Sequence, residues 1–410
     1  MSSELPRITK GKASSMGKDT QPGLKAEQSQ RGSNQITVRS HNERLILGLV
    51  RRNGELSKSE AARLTGLSNN ATSVILRALE EENLLLKGEP IRGKVGQPSV
   101  PMRINPDARY YLALRIGRRA VELAVINFAG EIIGGAQQSV PYPTPGQVLD
   151  FFRDRLTKVL RAAKLRKSDV SGMSVVMPFE LWSWTNEFDA PASEMLDWKD
   201  FDVATALQPL VSCPVIIEND GTAACRAELL FGQHPHKSDW IYFYIGTFVG
   251  GGVVLDNRLF AGKRGNAGGF GPMRVPERNG KDRLVDHASL VVLERALERN
   301  GKTPPPFMCM DRDDQTVAPE LNDWIERAAH GLAHATVSSL AIIDFEGVVI
   351  DGAVSDSVKI ELVQAVTEKL RQIDVQGVEP PRIEPGQMGP NARLLGAAAV
   401  QIDRSFPATD

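Results

Sequence analysis

Hydrophobic and polar positions predict three short helices within the first 105 residues. The apolar positions of the first two helices are Leu45, Ile46, Leu49 and Val50, and then Ala61 and Leu64. Ser57 and Glu60 have the spacing of a capping box, which starts the second helix. Gly66 makes a tight turn, and Ser68 then caps the third helix. The pattern is typical of a helix-turn-helix unit.

The third helix has one apolar face and one polar face. Its predicted apolar stripe consists of Ala71, Val74, Ile75, Ala78 and Leu79. Its short polar side chains gather in the first turns and are Ser68, Asn69, Asn70, Thr72, Ser73 and Arg77. The N-terminal part of this helix meets base edges in a helix-turn-helix protein, so we expect the polar side chains to contact DNA.

A basic, turn-rich segment follows at residues 87–101. It contains Arg92, Lys94 and Gln97, and we expect it to be the wing of a winged helix that contacts the duplex. The charge is also divided along the chain: residues 1–105 contain 17 lysines and arginines against 10 acidic residues, and the rest contains 32 against 40. A basic start joined to an acidic body favours a polyanion as the partner of the first part only.

Strand-like and helical segments alternate from Tyr110 onward. The predicted strands are 112–116, 121–126, 172–177, 215–217, 241–245 and 251–255, and the predicted helices are 148–165, 221–231, 284–300, 321–339 and 357–373. Alternation over this length predicts an α/β body with a mostly parallel sheet core in two lobes.

Composition excludes several classes of protein. The cysteines, Cys213, Cys225 and Cys309, are too widely spaced for a disulfide framework or a Cys-x-x-Cys metal site. No apolar run approaches the roughly 18 residues of a membrane helix, and the N-terminus lacks the apolar core of a secretory signal. We therefore expect a cytoplasmic protein with no membrane partner.

Two polar motifs lie at strand ends in the body. Asn219 and Asp220 end a predicted strand and begin a helix, where α/β sheets bind ligands. An amide beside a carboxylate suits sugar hydroxyls, although helix capping would also explain the pair. Gly246 and Thr247 open a glycine-rich loop that runs to Gly252, which could admit a sugar or phosphate or could simply form a tight hairpin.

These motifs, in this order, resemble the ROK family of repressors and sugar kinases, in particular its winged-helix regulators. The resemblance runs from about residue 42 to 402 and is carried by residues 56–62, 66–68, 214–215, 219–220, 246–252, 265–268 and 395–399. It implies a winged helix-turn-helix followed by a two-lobed, actin-like (ribonuclease H-like) body of the sugar-kinase type. It also implies self-association, so we expect a homodimer or a higher homo-oligomer on a pseudo-palindromic operator, regulated by a sugar or sugar derivative.

The resemblance predicts the domain boundaries. They are a disordered basic arm at 1–38, a DNA-binding module at 39–105, a first lobe at 106–217 plus 390–410, and a second lobe at 218–389. We call residues 39–105 the reader and residues 106–410 the body.

Three departures from the kinases of the family argue against catalysis. Arg115–Arg119 stands where they have Asp-x-Gly-Gly-Thr, and Gly269–Pro272 stands where they have Glu-x-Gly-His. The cysteine triad that follows is missing as well, so we expect no zinc and no other cofactor. Asp220 matches the catalytic base, and we assign it with Asn219, Gly246 and Thr247 to ligand recognition.

Several alternatives stay open at this stage. Arg115, Arg118 and Arg119 could be a solvated hairpin edge or could bind an anionic effector such as a sugar phosphate. His330 and His334 fit surface or packing positions better than a metal site, and His234 and His236 fit solvent-exposed positions. The main prediction is a DNA-binding regulator; the alternatives are an ATP-dependent sugar kinase fused to a reader, or a regulator whose sugar site only serves dimerisation.

Overall fold

The computed structural model describes residues 41–90, 100–183, 185, 190–234, 238–278, 280–306 and 314–405. The predicted arm at 1–38 and the predicted wing residues Arg92, Lys94 and Gln97 lie outside the described residues, as do Cys309 and His236.

The reader contains three helices and a small antiparallel sheet. The helices are α1 (41–53), α2 (Lys58–Thr65) and α3 (Asn69–Glu81). The strands are β1 (Glu55–Leu56), β2 (Leu85–Lys87) and β3 (Met102–Ile104), in the order β1-β3-β2. The Ser57–Glu60 capping box is confirmed, and Gly66 ends α2 with a φ of 70°, which glycine adopts without strain. Strands β2 and β3 flank the segment predicted as the wing.

The buried face of α3 differs from the predicted stripe. Val74 is 69 % exposed, whereas Thr72 is fully buried with Ile75, Leu76 and Leu79. These four residues have the i, i+3, i+4, i+7 spacing of one helical face. The Thr72 hydroxyl donates a hydrogen bond to the Ser68 carbonyl at 3.0 Å, which lets a polar residue pack inward without an unsatisfied group. The prediction that Leu64 is buried was also wrong, because its side chain is 45 % exposed.

The body contains two five-stranded sheets of equivalent topology. The first, in the order β6-β5-β4-β7-β8, consists of β4 (Tyr110–Ile116), β5 (Ala120–Asn127), β6 (Ile132–Ser139), β7 (Val170–Met177) and β8 (Val215–Asn219). The second, in the order β11-β10-β9-β14-β15, consists of β9 (Trp240–Ile245), β10 (Val249–Leu255), β11 (Arg258–Phe260), β14 (Gly347–Gly352) and β15 (Arg382–Pro385). Strands β12 (Arg274–Arg278) and β13 (Lys281–Arg283) form a separate hairpin.

Each large sheet is mixed, so the prediction of a mostly parallel core was wrong. The first three strands along the chain pair antiparallel as a meander, and only the last two add in parallel. The second sheet repeats this arrangement. The reason is that the three meander strands are joined by short turns, which bring consecutive strands together antiparallel.

Helices cover and join the two sheets. They are α4 (Pro145–Ala162), α5 (Ala192–Met195), α6 (Asp197–Asp200), α7 (Val203–Leu207), α8 (Asp220–Phe231), α9 (Val285–Ala288), α10 (Leu290–Arg299), α11 (Ala318–Leu340), α12 (Asp356–Gln372) and α13 (Ala392–Ser405). The predicted continuous helix at 284–300 is in fact two helices. Ser289 breaks it with an extended backbone, and its hydroxyl accepts a hydrogen bond from the Val249 amide at 3.1 Å. Among the described residues, no helix has both the length and the apolar character needed to cross a bilayer.

Helices α8 and α13 lie between the two sheets and pack against each other. Helix α13 contacts β4 and β7 of the first sheet, and α8 contacts β10 of the second. Gly396 makes the close approach possible, since a Cβ at this position would lie 2.1 Å from the Ala223 carbonyl oxygen. The two sheets of the body are therefore joined through this closely packed helix pair.

The reader is docked on the end of this helix pair. A continuous hydrophobic cluster joins Ile46 and Val50 of α1 to Ala398 and Ile402 of α13. Arg51 of α1 donates a hydrogen bond to the Phe128 carbonyl at 2.6 Å, and its guanidinium lies about 5 Å from the Phe128 and Phe231 rings. Burial lowers the pKa of Arg51 to about 10.

Candidate functional site

The exposed face of α3 carries most of the side chains predicted to contact DNA. Ser68, Asn69, Asn70 and Arg77 are exposed. Ser73 is half-buried and donates its hydroxyl to the Asn69 carbonyl at 2.8 Å. Thr72 faces the core and is removed from this set. The first turn of α3 contains no acidic residue, so no carboxylate offsets the partial positive charge of the helix N-terminus beside Asn69 and Asn70.

A cavity of about 280 Å³ lies where the two sheets meet α8. Its lining includes the N-terminus of α8, the β9–β10 loop, the β4–β5 hairpin and one side chain of α13. It contains the predicted residues Asn219 and Asp220, whereas Gly246 and Thr247 do not line it. The volume is near the lower end of the range for small-molecule sites, which favours one small ligand.

Asn219 is oriented by the helix that it caps. Its side-chain oxygen accepts hydrogen bonds from the amides of Gly221 and Thr222, both at 3.1 Å. Capping and ligand recognition are therefore compatible here: the oxygen is occupied by the cap, and the amide NH₂ group is the part that can donate to a ligand.

Asp220 is paired with a buried arginine that sequence reasoning missed. Arg393 Nη1 lies 3.2 Å from Asp220 Oδ2, and the Arg393 side chain is 8 % exposed. Its guanidinium lies 4.4 Å from the centre of the Tyr244 ring. Gly246 acts on this arginine rather than on the cavity, because a Cβ at Gly246 would lie 2.7 Å from Arg393 Nη2. The two residues of the pair are 173 positions apart, so only the fold brings them together.

The arginine hairpin between β4 and β5 reaches from the first sheet to α10. Arg115 forms an ion pair with Glu122 across the hairpin. Arg118 lines the cavity and stacks 4.3 Å from the centre of the Phe248 ring, and Arg119 lies 3.6 Å from Glu294 of α10. Each arginine thus has an acidic or aromatic neighbour.

The glycine-rich loop is needed for close packing. A Cβ at Gly251 would lie 1.7 Å from the Tyr242 carbonyl oxygen, and a Cβ at Gly221 would lie 2.7 Å from the Gly251 carbonyl oxygen. Gly246 and Thr247 accept backbone hydrogen bonds from the start of α10. The loop therefore holds the N-terminus of α8 against β10 and anchors α10 to the cleft.

The histidines occupy other parts of the body. His234 was expected to be exposed, but its side chain is 6 % exposed, with ring nitrogens 2.7 Å from Glu228 and 3.1 Å from Glu384. The His330 ring lies 5.9 Å from the ring of the buried His287 and 4.7 Å, edge to face, from the ring of His334. Within the described ranges, no group of three or more histidine, cysteine, aspartate or glutamate side chains could hold a metal ion.

A reader module docked on a two-lobed body with a small polar cleft defines a two-part class of protein, a winged helix-turn-helix joined to a sugar-kinase-like body. Residues 111–404 match the ROK family, and residues 39–85 match a winged helix-turn-helix DNA-binding domain. The chain belongs to the ROK family, and the predicted fold class is confirmed.

The chain is similar over most of its length to several known proteins. It is 25 % identical to the y4fQ protein of Sinorhizobium fredii over 375 residues, which are 90 % of this chain and 92 % of that protein. It is 21 % identical to the xylose repressor of Bacillus subtilis over 378 residues, 90 % of this chain and 97 % of the repressor. The crystal structure of a ROK family transcriptional regulator, a homologue of the Escherichia coli Mlc protein, has the same fold, with a TM-score of 0.60, 17 % identity and coverage of 91 % and 98 %.

Proposed function

We propose that this protein is a DNA-binding transcriptional repressor that responds to a sugar or sugar derivative. The observation that carries the proposal is the exposed face of α3, which bears Asn69 and Asn70 in a first turn free of acidic residues and Arg77 two turns further along. Asparagine and arginine are suited to adenine and guanine edges in the major groove. The similarity to the xylose repressor agrees with this function.

The cleft supports a binding role rather than phosphoryl transfer. A general base has to accept a proton from the attacking hydroxyl, but Asp220 is held in an ion pair with Arg393. Phosphoryl transfer also needs charge compensation at the phosphates by a metal ion. The hairpin that carries an acidic residue in the kinases of the family here carries Arg115, Arg118 and Arg119.

The helix pair α8 and α13 provides a physical connection between the cleft and the reader. Both helices begin at the cleft, with Asp220 and Arg393, and both end at the reader. Asp403, near the end of α13, pairs with Arg44 of α1 at 3.0 Å. A ligand that alters the Asp220–Arg393 pair would act on the first turns of both helices, about 18 Å from their far ends. We infer that a shift of this pair changes the reader's position on DNA.

We further propose that two copies of the chain bind together, each reader on one half-site of a pseudo-palindromic operator. Two-fold symmetry of the protein would then match the symmetry of the DNA. The body would supply the dimer contacts, and its net acidic charge would keep it away from the phosphates.

Fluorescence anisotropy tests the reading face with the full chain and a duplex from upstream of its own gene. We expect Asn70→Ala and Arg77→Ala each to weaken binding by roughly 5- to 150-fold, because a base contact contributes about 1–3 kcal/mol. Asn322→Ala is the matched control, since Asn322 is an exposed asparagine of α11 in the body. Unchanged affinity in both reader variants would reject this reading face.

A coupled assay for ADP release tests the kinase alternative on the same preparation. We expect no ATP turnover with hexoses or pentoses. Turnover that is lost in Asp220→Asn would overturn the assignment of a binding role to the cleft.

A further inference from the structure

We infer that Arg51 is the positioning residue that fixes the orientation of the reader on the body, and that the end of α8 acts on it through Phe231. The inference rests on the function proposed above and deepens it, since it names a contact through which the body controls how α3 meets DNA. It is carried by the geometry of the contacts between α1 and the body.

The apolar contact between the reader and the body does not by itself set one orientation. Ile46 and Val50 of α1 belong to the same hydrophobic cluster as Ala398 and Ile402 of α13. Burial of apolar surface stabilises such a contact but is not directional. Hydrogen bonds and ion pairs, which depend on distance and angle, are needed to oppose rotation or sliding of α1 on this surface.

Directional contacts attach α1 to three different elements of the body. Arg44 pairs with Asp403 near the end of α13 at 3.0 Å. Arg51, two helical turns further along α1, donates to the Phe128 carbonyl in the β5–β6 turn at 2.6 Å. The carbonyl of the next residue accepts a hydrogen bond from the side-chain amide of Gln233, which follows α8, at 3.3 Å. Contacts near both ends of α1 therefore resist both rotation and sliding of the reader.

The guanidinium of Arg51 also lies against two aromatic rings. Its central carbon is 5.0 Å from the centre of the Phe128 ring and 5.1 Å from the centre of the Phe231 ring. Gly130 makes this arrangement possible, because its φ is 92° and a Cβ at this position would lie 2.6 Å from the Phe231 ring. A planar guanidinium can stack on rings and donate to a carbonyl at the same time, which a lysine ammonium cannot do.

The turn that carries the accepting carbonyl is itself held in place. The side-chain oxygen of Asn127 accepts hydrogen bonds from the amides of Ala129 and Glu131, at 3.0 and 2.9 Å. The Phe128 amide donates to the carbonyl of Pro106, in the segment that joins the reader to the body, at 3.0 Å. Because this carbonyl cannot move freely, a hydrogen bond to it specifies one position of α1.

Stability alone does not explain an arginine at position 51. In the part of the chain that the structure describes, its hydrogen bond is to a carbonyl, no carboxylate pairs with its guanidinium, and its Nε atom is buried without a partner. Burial lowers its pKa to about 10, and the nearby Tyr111 opposes this only in part. A buried cation without a carboxylate costs desolvation free energy that an apolar side chain does not. What the arginine adds is direction.

The helix pair reaches α1 through two separate contacts. Phe231 is the last residue of α8, which begins at the cleft with Asp220. Asp403, near the end of α13, holds Arg44. Each helix of the pair therefore ends against its own arginine of α1. A shift of α8 moves the Phe231 ring against Arg51 and so changes the orientation of the reader.

Distances between spin labels test the inference without DNA or ligand. The labels are placed on Glu81→Cys in α3 and Gln138→Cys in β6, both exposed positions, in a Cys309→Ser background with an excess of unlabelled chain. The free cysteines of the described residues are buried and stay unlabelled. We expect double electron–electron resonance to give one narrow distance distribution in the parent protein and a broader or displaced one in Arg51→Met. An unchanged distribution would overturn the inference.

Further variants separate positioning from folding, which urea unfolding checks for each variant. Arg51→Lys keeps the charge but loses the planar fork, so it should also broaden the distribution, and it keeps the test decisive if Arg51→Met fails to fold. Phe231→Leu removes one ring, and an unchanged distribution in this variant would overturn the role of α8. Arg153→Met is the matched control, since Arg153 is an exposed arginine of α4, and the distribution should not change.

Fluorescence anisotropy with the upstream duplex measures the consequence for DNA binding. We expect Arg51→Met to weaken binding by roughly 3- to 30-fold, because only the readers in the competent orientation bind. The slope of the logarithm of the affinity against the logarithm of the salt concentration should not change, whereas loss of a phosphate contact would reduce it by about 1. An unchanged affinity, or a slope reduced by about 1, would overturn the inference.

The failures of this inference and of the proposed function are distinguishable. If the unmodified chain binds no upstream DNA, the proposed function fails, and the distance distributions still decide whether Arg51 positions the reader. If the chain binds DNA and the Arg51 variants keep the distribution and the affinity of the parent protein, the inference fails while the proposed function stands.

Discussion

The ion pair between Asp220 and Arg393 is open to a direct energetic test. Asp220→Asn keeps the shape of the side chain but removes the carboxylate that contacts the buried guanidinium. Arg393→Met removes the charge with a side chain of similar length, and Asp220 can then be hydrated through the cavity. We expect the first variant to be the more destabilised, because an uncompensated buried charge costs more than a solvated one.

The structure sets the size of the effect. Two unit charges about 4 Å apart attract by about 4 kcal/mol at an effective dielectric constant of 20. Asp220 is 20 % exposed and desolvation offsets part of the attraction, so we expect a net coupling of about 1–3 kcal/mol. Breaking a fully buried pair costs about 3–5 kcal/mol, and Asp220→Asn should lie at or below the lower end of that range.

Tryptophan fluorescence follows the urea unfolding of the unmodified chain, both single variants and the double variant. The four free energies of unfolding form a double-mutant cycle, which gives the coupling free energy between the two charges. The double variant should lose less stability than the sum of the two single losses. Additivity within about 0.5 kcal/mol would mean that the two charges do not interact in solution, and the account of the cleft would then be wrong.

Other regions give further predictions. Thr72→Val should leave DNA affinity unchanged while Asn70→Ala weakens it, because Thr72 faces the core; a loss of affinity in Thr72→Val, measured by anisotropy, would restore Thr72 to the reading face. Asp403→Asn, which weakens the contacts of α13 with Arg44 of α1 and with Arg226 of α8, should reduce the ligand's effect on DNA affinity more than it reduces ligand affinity in the same titrations. Burial lowers the pKa of His287 below the usual value of about 6.5. As the pH falls, the imidazole is therefore protonated in the unfolded chain before it is protonated in the folded chain. The stability that the neutral ring contributes to the folded state is present above pH ~6.5 and is lost as the pH falls below that value. A flatter pH dependence of the free energy of unfolding in urea for His287→Gln would support this. Burial also raises the pKa of the Cys225 thiol, and peptide mapping after native iodoacetamide treatment at pH 8 should find Cys225 unmodified until the protein is denatured.

The sequence predicted the elements of the reader because their signals are local. The capping box at Ser57, the turn at Gly66 and the cap at Ser68 act within four residues, and all three are present. The inward side of α3 was harder to predict, because Thr72 counts as polar in a periodicity analysis. A local hydrogen bond satisfies its hydroxyl, and this is a feature that hydrophobic patterning does not detect.

The rest depended on contacts between distant segments. The apolar pattern of residues 284–300 is continuous, but Ser289 is drawn out of the helix by Val249 and by Trp324, whose indole donates to the Ser289 carbonyl. Arg393 lies next to a recognisable motif at 395–399, yet its partner is at position 220. Residue types and order therefore indicated the location of the cleft, whereas its charge balance required the fold.

The most direct test of the proposed sensing mechanism is a titration of the full chain against its own upstream DNA, over a range of salt concentrations, with and without a sugar that stabilises the chain. We expect tight binding that weakens as salt rises, because of phosphate contacts, and an affinity that changes at least fivefold when the sugar is added. A chain that ignores every upstream fragment at low ionic strength, or whose DNA affinity is the same with the cleft filled and empty, would contradict this mechanism.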